Sequence, residues 1–316
     1  MKILDNIIFW IKNSRPYTIP ITSLCFLVIF VYSLVHKGNI AAGLIAYIGV
    51  SLVHLATNLS DDYFDYLKLI KNNEFCAKEC KCSYLREGKA TIKDLRNAII
   101  TMLTIAGGCG AILFFISGYY VIFFAFATLP IALFYSKLSS KGLGDIAVIF
   151  TYGPLMYCGV YYVMTKSFSA EVIILSLACS IIVETILYAH MLMDFNDDIN
   201  AGKTTVCTML KTVQNALNGL VLLYTTSFII ICVLCVISGN YAYLLTFLTI
   251  PLIIKLYISL KAYNEDNRSM PKIEIWNYPL NTKKQLPVNA PFFHRFFLSI
   301  NISTLFMLLT CIGIVL

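Results

Sequence analysis

EVIILSLACSIIVETILYAHMLMDFNDD, Glu171–Asp198, opens as a long apolar run and closes on three aspartates. The run from 171 to 192 is long enough for a helix to cross a bilayer core, which takes about 20 residues at a rise of about 1.5 Å each. At its end His190, Asp194 and Asp198 recur at intervals of four, so they share one helix face, with Asp197 beside them.

Eight more runs have the same apolar length, at 17–36, 40–57, 97–117, 119–136, 144–164, 214–237, 241–260 and 293–316. Hydrophobic residues make up 59% of the 316 and charged residues only 13%, a balance that no water-soluble interior could hold. The expected fold is all-α: a polytopic membrane bundle of about nine transmembrane helices, forming one domain over 1–316. No cleavable signal peptide is read in the first 16 residues. There Ile3, Leu4, Ile7, Ile8 and Ile11 repeat at helical spacing among Lys2, Asp5, Asn6 and Lys12, which predicts an interfacial amphipathic helix over 1–16.

Basic residues set the expected orientation, because short loops rich in Lys and Arg stay cytoplasmic. Of the 24, all but Lys37 and Lys166 fall on one side of a nine-span chain, which predicts a cytoplasmic N-terminus and an external C-terminus. The three polar stretches, 58–96, 193–213 and 261–292, then become cytoplasmic loops, and function is expected at that end. The third holds Pro271, Pro279, Pro287, Pro291 and Trp276 and reads as a lid, a surface-lying loop or a solvated connector. The net charge of +7 suits anionic headgroups or diphosphates at a membrane surface and does not require nucleic acid. The eleven cysteines do not imply disulfides, since most lie in spans or on the reducing side. Cys76, Cys80 and Cys82 form a C-x3-C-x-C cluster without a clear fourth ligand, so reduced loop thiols are expected there rather than a zinc site.

A second acidic cluster, NLSDDYFD, follows the span at 40–57 and makes an approximate internal repeat with the first. Asn58 and Asp62 are four apart and Asp62 and Asp65 three apart, again one face, with Asp61 adjacent. Six of the seventeen acidic residues thus crowd into two short windows, where like charges repel unless a cation lies among them. Hard divalent cations prefer such oxygen ligands, and Mg2+ binds by one or two carboxylates together with phosphate oxygens. Two facing carboxylate sets holding Mg2+ would make a clamp for a diphosphate. Lys203 in DINAGKTT, Lys141 in YSKLSSKGLGD and Arg15 in NSRPYT are the cations expected to complete it, or else simple topology signals. His54 lies one turn before Asn58, and Glu184 about 15 Å along its helix from Asp194. Either could orient an acceptor or take its proton, or could merely bond to a neighbouring helix.

Five segments taken in order, WIKNSRPYT, NLSDDYFDY, REGKAT, KGLGDIAVIFTYGPLMYCGVYYV and DFNDDINAGKTT, resemble the UbiA superfamily of intramembrane prenyltransferases, and within it the 1,4-dihydroxy-2-naphthoate polyprenyltransferases of menaquinone biosynthesis. The resemblance implies a nine-helix bundle around a central cavity, with Asn58, Asp62, Asp65, Asp194 and Asp198 binding Mg2+ and an isoprenyl diphosphate. It further implies loss of diphosphate to an allylic cation that an aromatic acceptor attacks, in a bacterial inner membrane. His190 departs from the pattern, which usually has Asn there, and Leu67–Ser83 lacks the expected Gly and Asp. The acceptor could therefore be 4-hydroxybenzoate, homogentisate, chlorophyllide, haem or a phosphosugar instead. DDYFD also fits the DDxxD string of soluble isoprenyl diphosphate synthases, which nine spans exclude. A cation-coupled secondary transporter is the alternative from another class, although its acids should sit in broken helices near mid-membrane.

Overall fold

A computed structural model gives residues 3–72, 82–265, 269–278 and 290–316. Fifteen α-helices are described there: α1 Ile3–Asn13, α2 Ile19–Val35, α3 Ile40–Asn72, α4 Ser83–Arg86, α5 Ile92–Ser117, α6 Tyr120–Leu133, α7 Tyr135–Ser139, α8 Gly144–Phe150, α9 Met156–Thr165, α10 Ala170–Met193, α11 Phe195–Asn200, α12 Val206–Met209, α13 Val213–Ser238, α14 Ile250–Glu265 and α15 Ala290–Val315. Cys76 and Cys80 lie outside the described residues, and the described cysteines are free thiols.

Among the described residues eight helical segments are long and apolar enough to span a bilayer, and the integral membrane bundle is of the expected kind. The ninth expected span is the shorter α6, which follows Pro130 to Leu133 and breaks at Phe134 before α7 resumes. Gly118 makes the abrupt reversal between α5 and α6. Its φ of 101° is open to glycine, and its N–H bonds the Phe114 carbonyl at 2.8 Å.

α10 is apolar on all its faces and packs against α8, α9, α13 and α15, so it forms the bundle's axis. Outer helices turn Phe115, Phe126, Leu222 and Val236 outward, the side that lipid covers. Between α2, α10 and α15 runs a narrow apolar crevice lined by Ile21, Leu24, Val183, Ile186, Ile300 and Met307.

Two boundaries differ from the sequence expectation, each for a packing reason. The 58–96 loop begins as helix, because α3 continues through Asn72. Leu59 is fully buried there, and Tyr63 and Tyr66 pack with Trp10, Tyr84, Leu85 and Leu95 in a second hydrophobic cluster. That cluster also docks α1: Trp10 turns in, while Leu4, Ile7, Ile8 and Ile11 stay exposed as an apolar face for the membrane surface. The third polar stretch is likewise helical through Glu265, and its described part, 269–278, is bonded to α15. Asn301 donates to the carbonyls of Trp276 and Tyr278 at 2.8 and 2.9 Å, and fully buried Arg295 donates to the Ser259, Ser269 and Pro291 carbonyls.

The run from 144 to 165 is kinked rather than straight, because Gly153 leaves helical φ/ψ ahead of Pro154. A β-carbon at Gly153 would lie 2.9 Å from Ser180 Cβ and 3.1 Å from the Ser176 carbonyl oxygen of α10. Gly153→Ala is therefore expected to cost about 1–3 kcal/mol by overpacking. A lowered thermal midpoint in detergent is the check, and an unchanged midpoint would mean that α8 and α10 can separate without penalty.

Candidate functional site

Arg15 joins α1 to α2 in the left-handed region, at φ 57°, a conformation that a residue with a β-carbon seldom adopts. The turn aims its guanidinium at α3. Nη2 donates to Asp62 Oδ1 at 2.6 Å and to the Asn58 carbonyl at 2.8 Å. Tyr84, brought over by α4, donates its hydroxyl to Asp62 Oδ2 at 3.1 Å, and Cys82 Sγ bonds the Asp62 carbonyl at 3.2 Å. Buried Asp62 is thus the hub of the first motif, with Asp61 and Asp65 half-buried on either side. Burial disfavours the charged Arg15, yet Asp62 and Asp61 outweigh it and raise its pKa. Burial and the same carboxylate also push the Tyr84 hydroxyl up, so it remains a donor.

Asn58 spends its amide nitrogen on the Ser14 carbonyl at 2.9 Å and on Thr18 Oγ1 at 3.1 Å, which leaves Oδ1 as the atom able to serve a cation. Thr18 also meets His54 Nε2 at 3.0 Å, and Tyr152 lies 3.2 Å from the other ring nitrogen, with Thr22 against it as well. Both His54 nitrogens are therefore engaged inside the bundle, where the ring ties α2, α3 and the kink after α8 together.

The second motif sits where α10 gives way to α11. Asp194 occupies the joint, and the Asp198 N–H bonds its carbonyl at 2.8 Å, so the four-residue register survives the break. His190 Nδ1 lies 3.2 Å from Asp194 Oδ2, and its ring meets the edges of Phe292 and Phe296. Buried Asp198 accepts from Lys203 Nζ at 2.9 Å, while Asp197 is exposed. Burial, then the neighbouring Asp198, hold Asp194 above the ordinary carboxylate range, with His190 opposing them. The hydrogen bond to Asp198 raises Lys203, which stays charged.

Tyr135 belongs to α7, which packs on α3, the helix of the first motif, and on α8. Burial first, then the carboxylates of Glu184, Asp61 and Asp145, push its hydroxyl up. Lys137 stands 4.7 Å from the ring centre of Phe64, inside the first motif, and 5.0 Å from that of Phe134. Lys141 is exposed on the following turn and its ammonium joins neither motif. Glu184 is buried within α10 against Asp145 of α8.

Among the described residues no three His, Cys, Asp or Glu side chains converge as a ready-made metal cage. The donor set is nevertheless one of hard oxygens, one or two carboxylates from each motif. That suits a cation which completes its shell with phosphate oxygens and water. Arg15 on Asp62 and Lys203 on Asp198 mark each set as one that draws positive charge.

Sequence reasoning missed Tyr84, Tyr135, Lys137 and Asp145. Asp145 alone carried a signal, an acid at the head of an apolar span. The two tyrosines owe their places to tertiary packing, and Lys137 reads in sequence only as a topology charge.

The UbiA prenyltransferase family model matches residues 19–278. A 1,4-dihydroxy-2-naphthoate octaprenyltransferase from Haemophilus influenzae is 24% identical over 243 residues, 69% of this chain and 74% of that one. An enzyme of the same name from Escherichia coli K12 is 26% identical over 220 residues, 65% of this chain and 69% of the other. A solved structure reported for digeranylgeranylglyceryl phosphate synthase in membranes superposes with a TM-score of 0.63 at 14% identity, covering 98% of this chain and 99% of its own, which establishes a shared fold.

Proposed function

Because the chain belongs to the UbiA prenyltransferase family, we propose that it transfers a polyprenyl group from an isoprenyl diphosphate to 1,4-dihydroxy-2-naphthoate in a Mg2+-dependent step of menaquinone biosynthesis. Membership makes it a prenyltransferase in a membrane and retires the transporter reading. The names of the two bacterial relatives support the naphthoate acceptor and a bacterial inner membrane. The distribution of Lys and Arg supports a cytoplasmic N-terminus, an external C-terminus and a site facing the cytoplasm.

The observation that carries the reading is the pair of acid sets, each already holding a cation: Arg15 on Asp62 and Lys203 on Asp198. Asp62, Asp65 and Asn58 Oδ1 from one side, and Asp194 and Asp198 from the other, are the atoms that would hold Mg2+. Bound there with a diphosphate, the ion would neutralise charge as the bond to carbon breaks. Arg15, Lys203 and Lys137 supply the remaining positive charge around the leaving group, with Lys141 at the rim. His190 fixes the Asp194 carboxylate, and His54 fixes Asn58 through Thr18. Asp61 flanks the hub beside Tyr135. The apolar bundle would keep water from the allylic cation.

The test is purified protein with a long-chain isoprenyl diphosphate, 1,4-dihydroxy-2-naphthoate and Mg2+, run beside 4-hydroxybenzoate and an EDTA control. A lipid-soluble prenylated naphthoate lost on chelation is the expected result. Product from 4-hydroxybenzoate alone would reassign the acceptor, and no Mg2+-dependent diphosphate binding would overturn the site.

A further inference from the structure

Among the described residues Glu184 is the most deeply buried acid, at 1% exposure, and the group it faces is a second acid, Asp145, at 9%. Among the described residues no donor other than the acids themselves bonds either Glu184 oxygen or Asp145 Oδ1. Two ionised carboxylates are acceptors only and cannot satisfy each other. Buried oxygens without donors are costly, and native interiors almost always provide them. The titratable neighbours supply no cation: Tyr135, Tyr188 and Cys207 lie around the pair, and the Tyr188 hydroxyl is already spent on the Ala216 carbonyl at 2.9 Å. One proton shared between the carboxylates would make one acid a donor to the other and still leave oxygens to be met. The oxygens left over are open to a neutral donor from outside the chain.

Position says which donor. Asp145 opens α8 at the end of the bundle where both motifs lie, and Glu184 sits about 15 Å deeper than Asp194 along α10. α7 packs on α3, which carries the first motif, and on α8, which carries Asp145, so a single short helix bridges the pair's element and the first motif's. A ring whose hydroxyl enters at Asp145 would lie flanked by tyrosines and next to the diphosphate site.

We propose that Asp145 and Glu184 form the binding site for a hydroxyl of the aromatic acceptor, with Asp145 at its mouth and Glu184 at its floor. The assignment rests on the prenyltransferase reading above and adds to it where the acceptor docks. The phenolic O–H donates to the acid pair and stays aligned beside the donor site. An acceptor without that hydroxyl leaves buried oxygens bare, so the site discriminates by chemistry as well as shape.

The experiment uses the full chain in nanodiscs and reads two quantities separately. The first is Mg2+-dependent binding of an unreactive thiolo analogue of the isoprenyl diphosphate. The second is the KM of the hydroxynaphthoate acceptor, with the Ki of analogues lacking one ring hydroxyl. Glu184→Gln and Asp145→Asn are expected to raise acceptor KM by about tenfold or more while analogue binding stays within about twofold. Asp145→Glu, which keeps the acid, is expected to recover most of the loss. In the wild type one deoxy analogue should inhibit about tenfold more weakly than its hydroxylated parent, a difference that Glu184→Gln erases. Unchanged acceptor KM in both variants overturns the inference and leaves the prenyltransferase reading standing, as does equal Ki for all analogues in the wild type. A parallel fall in diphosphate binding also overturns it, because the pair would then serve the whole bundle. If the wild type turns over no hydroxyaromatic acceptor, the two readings fall together.

Discussion

Asp62→Ala is expected to lower kcat/KM for the isoprenyl diphosphate by about 10³-fold or more. The first motif converges on this carboxylate: Arg15 holds one oxygen, Tyr84 the other, and Cys82 the backbone carbonyl. On the proposed reading truncation removes a cation ligand, and it also releases Arg15 from a turn at positive φ that the ion pair helps to hold. The pair is partly exposed on the arginine side, so the cost to the fold should be modest, about 1–3 kcal/mol. Asp62→Asn separates the two effects, because it keeps the shape and a partner for Arg15 while removing the charge. It should stay near the wild-type thermal midpoint and still lose most activity. Retention of activity within about tenfold in both variants would remove Asp62 from the site.

The comparison of Asp62 with Asp145 shows what a sequence can and cannot disclose about such a site. Asn58, Asp62, Asp194 and Asp198 were legible because their meaning lies in spacing along one helix, and helical spacing survives folding, even through the break at Asp194. Asp145 and Glu184 are 39 positions apart, and only the packing of α8 on α10 makes them a pair. Tyr84 is invisible for the same reason, since it reaches Asp62 from a loop whose path the sequence does not state. His54 was visible as a polar residue in a span, but its ring nitrogens are taken by Thr18, Thr22 and Tyr152, which no periodicity discloses. At the level of fold, spans were legible wherever an apolar run coincided with a helix. The end of α3 was misplaced because half-buried polar residues continue the helix after the apolar run has stopped, held by a cluster that includes Trp10 from α1.

Asp198→Asn is expected to give the second large effect, a loss of transfer of about 10²–10³-fold accompanied by a rightward shift of the Mg2+ dependence by about tenfold or more. Asp198 is buried and bonded to Lys203, so a structural role and a cation-holding role would both reduce activity. The metal titration tells them apart. An amide at this position keeps a hydrogen-bond acceptor for Lys203 but is a poorer ligand for a hard cation than a carboxylate. If Asp198 holds the ion, excess Mg2+ restores part of the activity. If its task is to fix Lys203, the Mg2+ midpoint stays put, and Lys203→Ala reproduces the defect as a raised KM for the diphosphate. Asp194→Asn should resemble the first pattern, because its carboxylate is bonded to His190 rather than to a fixed positive charge. Combining it with Asp198→Asn should cost far less than the sum of the two single losses, since both carboxylates would act on one ion and one diphosphate. Full additivity would mean that the two aspartates serve separate tasks, and a single clamp at the end of α10 would then be the wrong description.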